Sequence, residues 1–143
     1  MMTSEEFEAA LAASIKTVKP RLEIGLDKVG ELASTMAVHY LGTYQEGWAP
    51  LKPETIARKA TGDSPLLETG HMRESISHYV NPFSAFAMEV VVGSTDKTAI
   101  FQEQGTSRIP PRPFLSLGLM HALPFAEETF GEIAIKIISG KMT

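Results

Sequence analysis

Four histidines are the residues of this sequence best suited to acid–base or metal chemistry, and one of them has a metal-site spacing. Glu68 and His71 stand three positions apart, as in half of a helical di-metal carboxylate site. Such a site needs a second copy of the motif, which does not occur, and the residues after His71 alternate like a strand. The pattern therefore favours a surface or packing role for His71 and predicts no metal site.

Patterns for nucleophilic and phosphate chemistry are also missing from the sequence. A catalytic serine is commonly presented on a Gly-x-Ser-x-Gly turn, and nucleotides bind glycine-rich loops, but neither motif occurs. The sequence contains no cysteine, which excludes disulfides, thiolate metal sites and a cysteine nucleophile. We predict that the chain is not an enzyme and uses no cofactor. Two alternatives remain open: a small hydrolase or nuclease using His71 or His78, and a monomeric protein-binding module.

A proline-rich segment, the arm (residues 105–113), is the most unusual part of the sequence. Three prolines in four positions lock φ and remove backbone donors, so the segment is extended and stiff. Preorganised segments lose little entropy on docking, and arginine and aromatic side chains often anchor interfaces. The residues we predict to make protein–protein contacts are Trp48, Arg108, Arg112, Pro113 and Phe114. The alternative is a buried structural loop in which Arg112 pairs with an acid and Phe114 belongs to the core.

Length and composition fit one domain spanning residues 1–143. Hydrophobic residues make up 43% of the 143 residues, and the formal net charge is −4. That charge argues against a general nucleic-acid binder and against attraction to anionic lipid. No stretch approaches the ~18 apolar residues of a membrane span. The acidic start has no basic region typical of a signal peptide. We expect a soluble protein made in the cytoplasm.

Apolar periodicity predicts helices at both ends of the chain. Thr3 and Glu6 have the spacing of a capping box, and apolar residues then recur at three- and four-residue steps over residues 3–42. This region is either one kinked helix or two helices meeting at Pro20. Residues 114–139 form a C-terminal helical region, in which Pro124 is placed at a first helical position and Gly140 as the stop.

The middle of the sequence predicts loops and a small antiparallel sheet. Residues 43–74 are loop-rich with one short helix, and residues 75–93 form a hairpin with Asn81-Pro82 as a turn signal. A second short helix precedes Gly105. The predicted fold is therefore α+β: a long N-terminal helix or helix pair and a C-terminal helix packed on a small antiparallel sheet with long loops.

Several short blocks between residues 48 and 115 carry a family resemblance. They are Trp48-Ala49-Pro50-Leu51, Pro65-Leu66-Leu67-Glu68-Thr69-Gly70-His71-Met72-Arg73-Glu74-Ser75-Ile76, Val91-Val92-Gly93-Ser94, Ala99-Ile100-Phe101-Gln102-Glu103-Gln104-Gly105-Thr106 and Ile109-Pro110-Pro111-Arg112-Pro113-Phe114-Leu115. In order and spacing they resemble the tailed-phage virion morphogenesis proteins, which complete the tail and join it to the head. Thr98 stands where that family usually has tyrosine, and Pro111 where it often has alanine.

The resemblance implies a structural protein of the virion neck. It implies a ring of identical subunits, typically a hexamer, that caps the tail tube or tail terminator and meets a head-closure or connector protein. It also implies assembly in the host bacterial cytoplasm, no catalysis and no membrane. DNA would pass through the ring lumen without specific binding, which agrees with the net negative charge.

Overall fold

Two long helices packed with a β-hairpin make up the protein. The computed structural model describes residues 1–82 and 88–138, without the side chains of residues 14, 15 and 136–138. The elements in chain order are α1 (Ser4–Tyr40), α2 (Pro53–Arg58), α3 (His71–Glu74), β1 (Ile76–Pro82), β2 (Met88–Ser94), α4 (Thr98–Gln104) and α5 (Leu115–Ile138). Helix α1 packs against α5 on one side and against both strands on another, so the predicted α+β fold is confirmed.

Helix α1 is one continuous helix with Pro20 in its interior, which decides between the two predicted arrangements. The predicted capping box is confirmed. Thr3 Oγ1 accepts from the Glu6 amide at 3.1 Å, and Glu6 Oε2 accepts from the Thr3 amide at 2.7 Å. The helix ends at Tyr40, and Gly42 then adopts a positive φ of 93°, a conformation that glycine reaches without strain.

The N-terminal turns of α1 project away from the rest of the subunit. Every residue from 1 to 13 is exposed, and the first partly buried position among the described side chains is Val18. Within residues 4–13, two of the exposed side chains are large and apolar: Phe7 is 59% exposed and Leu11 is 48% exposed. We call residues 4–13 the protruding turns. The predicted apolar stripe also included Ile15, whose side chain lies outside the described part.

The two strands pair over their whole described length. Tyr79 lies opposite Val91 in an antiparallel register that continues to Pro82 opposite Met88. The predicted turn at Asn81-Pro82 is therefore wrong. These residues extend β1, and the Asn81 amide donates to the Glu89 carboxylate across the strands at 3.1 Å. Pro82 is tolerated because it is the last residue of its strand. Residues 83–87, including the predicted start of the second strand, lie outside the described part.

Small residues let α1 and α5 approach closely. Ala33, Ala37 and Ala122 are fully buried. A Cβ added at Gly118 would lie 2.5 Å from the Ala33 carbonyl oxygen, closer than real Cβ contacts. The helices therefore touch through their backbones at this point, and a side chain as small as methyl has no room.

Helix α5 lies within the predicted C-terminal helical region, residues 114–139. It begins at Leu115 and contains Pro124, so placing that proline at the first helical position is wrong. The helix begins well before Pro124, where a distant side chain, Glu103, accepts from its first backbone amides, at Leu115 and Ser116. The predicted stop at Gly140 lies outside the described residues.

The larger core cluster sits at the C-terminal end of α1. Its buried residues come from α1, the following loop, α3, α4 and the position just before α5: Ala37, Tyr40, Leu41, Trp48, Met72, Ala99 and Phe114. A second cluster, nearer the middle of α1, joins Val29 and Ala33 to Ala122. No helix in residues 1–82 or 88–138 combines the length and apolar content that crossing a membrane requires.

Candidate protein-binding cleft

An open cleft of about 1170 Å³ lies beside the larger core cluster, at the C-terminal end of α1. One wall is formed by residues 49–59 and 66–72, and the other by the arm together with Asp96, Thr98 and Gln102. The blocks that carry the family resemblance, separated along the sequence, supply most of both walls. This convergence makes the cleft the candidate functional site.

Arg112 joins the two walls. It is 4% exposed, and its guanidinium donates to the Ala49 carbonyl oxygen at 2.8 and 3.3 Å and to that of Pro50 at 3.5 Å. Its backbone amide donates to the Gln102 carbonyl at 2.7 Å. The predicted alternative of a buried structural arginine describes this position, but the acceptors are backbone carbonyls instead of a carboxylate.

The other predicted contact residues divide into buried and accessible ones. Phe114 is 0% exposed and Trp48 is 9% exposed, and both belong to the larger core cluster. Their side chains, like that of Arg112, are therefore packed inside the subunit. A stiff extended segment is equally suited to lie on its own core or to face a partner, which is why the pattern did not separate the two. Arg108 is exposed and Pro113 is half-buried.

A local turn holds Arg108 at the edge of the cleft. Thr106 Oγ1 accepts from the amides of Arg108 and Ile109 at 3.2 and 3.1 Å. The Thr106 amide donates to the Ile109 carbonyl at 2.9 Å. Gly105 precedes the turn with a φ of 75°, and an added Cβ there would lie 2.8 Å from the Pro111 nitrogen. Only glycine fits this close approach, so the arm is fixed at its base.

The lining of the cleft is positively charged in a chain that is negatively charged overall. Five basic residues line it against three acidic ones, a balance of +2, whereas the whole chain carries −4. The basic residues are Lys52, Arg58, Lys59, Arg108 and Arg112, and the acidic ones are Glu54, Glu68 and Asp96. Lys52, Arg58 and Arg108 are exposed and therefore free to meet a partner's charge.

Hydrogen bonds from side chains hold the loop that forms the first wall. The Tyr44 hydroxyl donates to Asp63 Oδ1 at 2.5 Å and accepts from the Leu51 amide at 3.0 Å; the bond to Asp63 raises the pKa of this tyrosine. Lys59 Nζ donates to the Ser64 carbonyl at 2.5 Å, and partial burial lowers the pKa of its ammonium group. These bonds order a loop that has little secondary structure of its own.

Glu103 ties α4 to α5 and was not found by sequence reasoning. Its Oε2 accepts from the Leu115 amide at 2.9 Å and its Oε1 from the Ser116 amide at 2.9 Å; the Ser116 hydroxyl also donates to Oε1. The carboxylate thus caps α5 from outside that helix. Capping motifs are recognised within about four residues of a helix start, so a cap twelve residues away left no local signal.

One Ser–His–Asp contact occurs between α1 and β1. Ser34 Oγ lies 3.3 Å from His78 Nδ1, and His78 Nε2 lies 2.9 Å from Asp27 Oδ1. In a nucleophilic triad the aspartate is buried and the serine hydroxyl faces the substrate. Here the Asp27 side chain is 64% exposed, and Ser34 Oγ donates to the Gly30 carbonyl of its own helix at 2.8 Å. We assign this contact a packing role.

His71 is exposed at the start of α3 and lines the cleft. In the part of the chain that the structure describes, no group of three His, Cys, Asp or Glu side chains could hold a metal ion. The Glu68–His71 pair therefore has no third ligand of these types there.

Comparisons of the chain with protein-family models, with curated proteins and with solved structures give no match.

Proposed function

We propose that this protein is a structural subunit of the neck of a tailed phage or prophage, which completes the tail and joins it to the head as a ring. The observation that carries the proposal is the convergence of the resembling blocks on one cleft. The Trp48 and Arg112 blocks, more than sixty residues apart, meet through the bonds from Arg112 to Ala49. Blocks that serve a common surface are expected to gather in this way.

Exposed apolar side chains support an assembling subunit. Besides those on the protruding turns, several large apolar residues are exposed on α4 and α5: Ile100, Phe101, Leu119, Met120, Leu123, Phe125 and Ile135. Monomeric proteins expose single apolar residues freely, but several along two helices are typical of surfaces that a partner covers. A ring subunit needs two unlike surfaces of this kind, one for each neighbour.

The proposed mechanism is geometric. Arg112 fixes the arm to the opposite wall, and Gly105 fixes its base, so each subunit presents Arg108 in one position. Subunits with ordered contact surfaces lose little entropy on assembly. The ring contacts the tail tube or tail terminator on one side and the head-closure or connector protein on the other. The net charge of −4 suits a lumen through which DNA passes without binding.

Deletion of the gene from its phage, with complementation from a plasmid, tests this function. We expect filled heads and separate tails in the deletion, and joined particles when the protein is restored. An electron-microscopy map of wild-type particles provides the second measurement and should show this chain in the neck. Joined, infectious particles in the deletion, or a neck without this chain, would refute the proposal.

A further inference from the structure

Two surfaces with opposite charge lie at opposite ends of α1. The protruding turns are at its start, and the cleft is beside its end, where Trp48 belongs to the same core cluster as Ala37 and Tyr40. Thirty-two residues separate Glu8 from Tyr40 in one helix, a span of about 48 Å at 1.5 Å per residue. While α1 is helical, the protruding turns of a subunit therefore lie far from the cleft of the same subunit.

Charge matches the protruding turns to the cleft. Residues 1–13 contain three glutamates and no lysine or arginine. The cleft has a balance of +2, and its exposed cations are Lys52, Arg58 and Arg108. Unlike charges on two surfaces steer their encounter and set their register.

Volume and apolar character are compatible as well. Phe7 and Leu11, four positions apart, share one face of the helix and are exposed. The cleft offers apolar partners from both walls, among them Leu51, Leu66 and Ile109. A helix about 10 Å across and ten residues long encloses roughly 1,200 Å³. The cleft volume of about 1170 Å³ is of that order.

We propose that the protruding turns of one subunit dock in the cleft of the next. The inference rests on the proposed function, because it supplies the head-to-tail contact between neighbours in the ring. A contact between two different surfaces of the same chain repeats around an axis and closes when the rotation allows it. The occupant of the cleft is thus a second copy of this chain.

Carbodiimide coupling of assembled rings, formed alone or on purified tails, tests the contact with native residues. The reagent joins a carboxylate to an amine without a spacer, so Glu8 and Lys52 should be linked and identified by mass spectrometry. Rings made from a mixture of ¹⁴N and ¹⁵N subunits show whether the link joins two chains. We expect mixed-isotope peptides containing Glu8 joined to peptides containing Lys52.

Charge reversal supplies a matched pair of variants on the protruding turns. At 100° per residue, Glu8 flanks the face of Phe7 and Leu11, whereas Glu5 lies on the other side of the helix. We expect Glu8→Lys to weaken ring formation about tenfold or more, and Glu5→Lys to change it less than about threefold. Circular dichroism of each variant verifies that α1 remains folded.

Reversal of the cleft charge completes the test. Arg58→Glu should weaken ring formation like Glu8→Lys, and both changes in one chain should restore it. Lys28→Glu, on exposed α1 surface outside the cleft, is the control. Rings that form normally in all variants and lack the Glu8–Lys52 link overturn this inference and leave the neck function standing. A cleft linked to a different protein also overturns it. If the protein forms no ring, either alone or on purified tails, both proposals are overturned.

Discussion

Two glycines of α5 predict opposite effects for the same substitution. Gly118 is buried against α1, where an added Cβ would lie 2.5 Å from the Ala33 carbonyl oxygen and 3.2 Å from the Ala37 nitrogen. Gly131, in the same helix, is exposed, and an added Cβ there meets nothing within 4 Å. Replacing each with alanine separates the cost of steric overlap from the gain in helix propensity.

The magnitudes follow from those two surroundings. Alanine is favoured over glycine in a helix interior by about 1 kcal/mol, so Gly131→Ala should raise the free energy of unfolding by about that amount. At Gly118 the contact atoms belong to the backbone of α1, which cannot rotate away, and overpacking costs about 3 kcal/mol at such a site. The gain in helix propensity offsets about 1 kcal/mol of this cost. Gly118→Ala should therefore lower the free energy of unfolding by about 2 kcal/mol.

Urea unfolding followed by far-ultraviolet circular dichroism measures both changes. Thermal unfolding of the same variants gives Tm, which each kcal/mol moves by roughly 3 °C in a chain of this length. We therefore expect Tm to change by about +3 °C for Gly131→Ala and by about −6 °C for Gly118→Ala. The m-values should stay equal, since neither substitution changes the surface exposed on unfolding. If Gly118→Ala is as stable as Gly131→Ala, the helices do not touch through their backbones.

Three further substitutions test the bonds around the cleft and α5. Glu103→Ala removes the remote cap and should lower the free energy of unfolding by about 1–2 kcal/mol in urea titrations; an unchanged value would show that α5 does not depend on it. Arg112→Lys keeps the charge but loses the forked donor geometry at the Ala49 carbonyl, and should lower the free energy of unfolding by about 2 kcal/mol in the same assay. An unchanged free energy would show that the bonds from Arg112 do not hold the two walls together. Hydrogen bonds from the Thr98 amide and hydroxyl lower the pKa of Asp96. The stability they confer is present above the ordinary carboxyl pKa of about 3.9 and is lost as pH falls through the lowered value, so the deficit of Asp96→Asn should shrink from pH 7 to pH 3; a constant deficit would rule out the ionised carboxylate as its source.

Local signals in the sequence predicted the elements well. The capping box at Thr3 and the glycine after α4 are read from neighbouring residues, and both mark helix ends in the structure. The fold class followed because apolar periodicity distinguishes the long helices from the hairpin. The wrong boundaries, at Asn81-Pro82 and Pro124, arose where a partner distant in sequence extends the element past a residue that usually ends it.

The cleft itself could be predicted only in part. The sequence identified Arg108 and Arg112 as unusual, but the pattern is the same for an arm that faces a neighbour and for one that binds its own core. Burial of Trp48 and Phe114 depends on where the loop after α1 meets α4 and α5, which is set by tertiary packing. The bonds from Arg112 to backbone carbonyls left no mark on residue types, since any residue can supply a carbonyl.

Pro20 divides α1 into two parts that can unfold separately. Proline has no amide hydrogen, so the carbonyl of Lys16 loses its usual partner, and the ladder of bonds is interrupted close to where burial begins. A helix of some sixteen residues without tertiary support is marginally stable in water. The turns before Pro20 can therefore unwind while the turns after it stay folded, and their amides should exchange hydrogen much faster. Docking against a neighbouring subunit would supply the packing that keeps these turns helical.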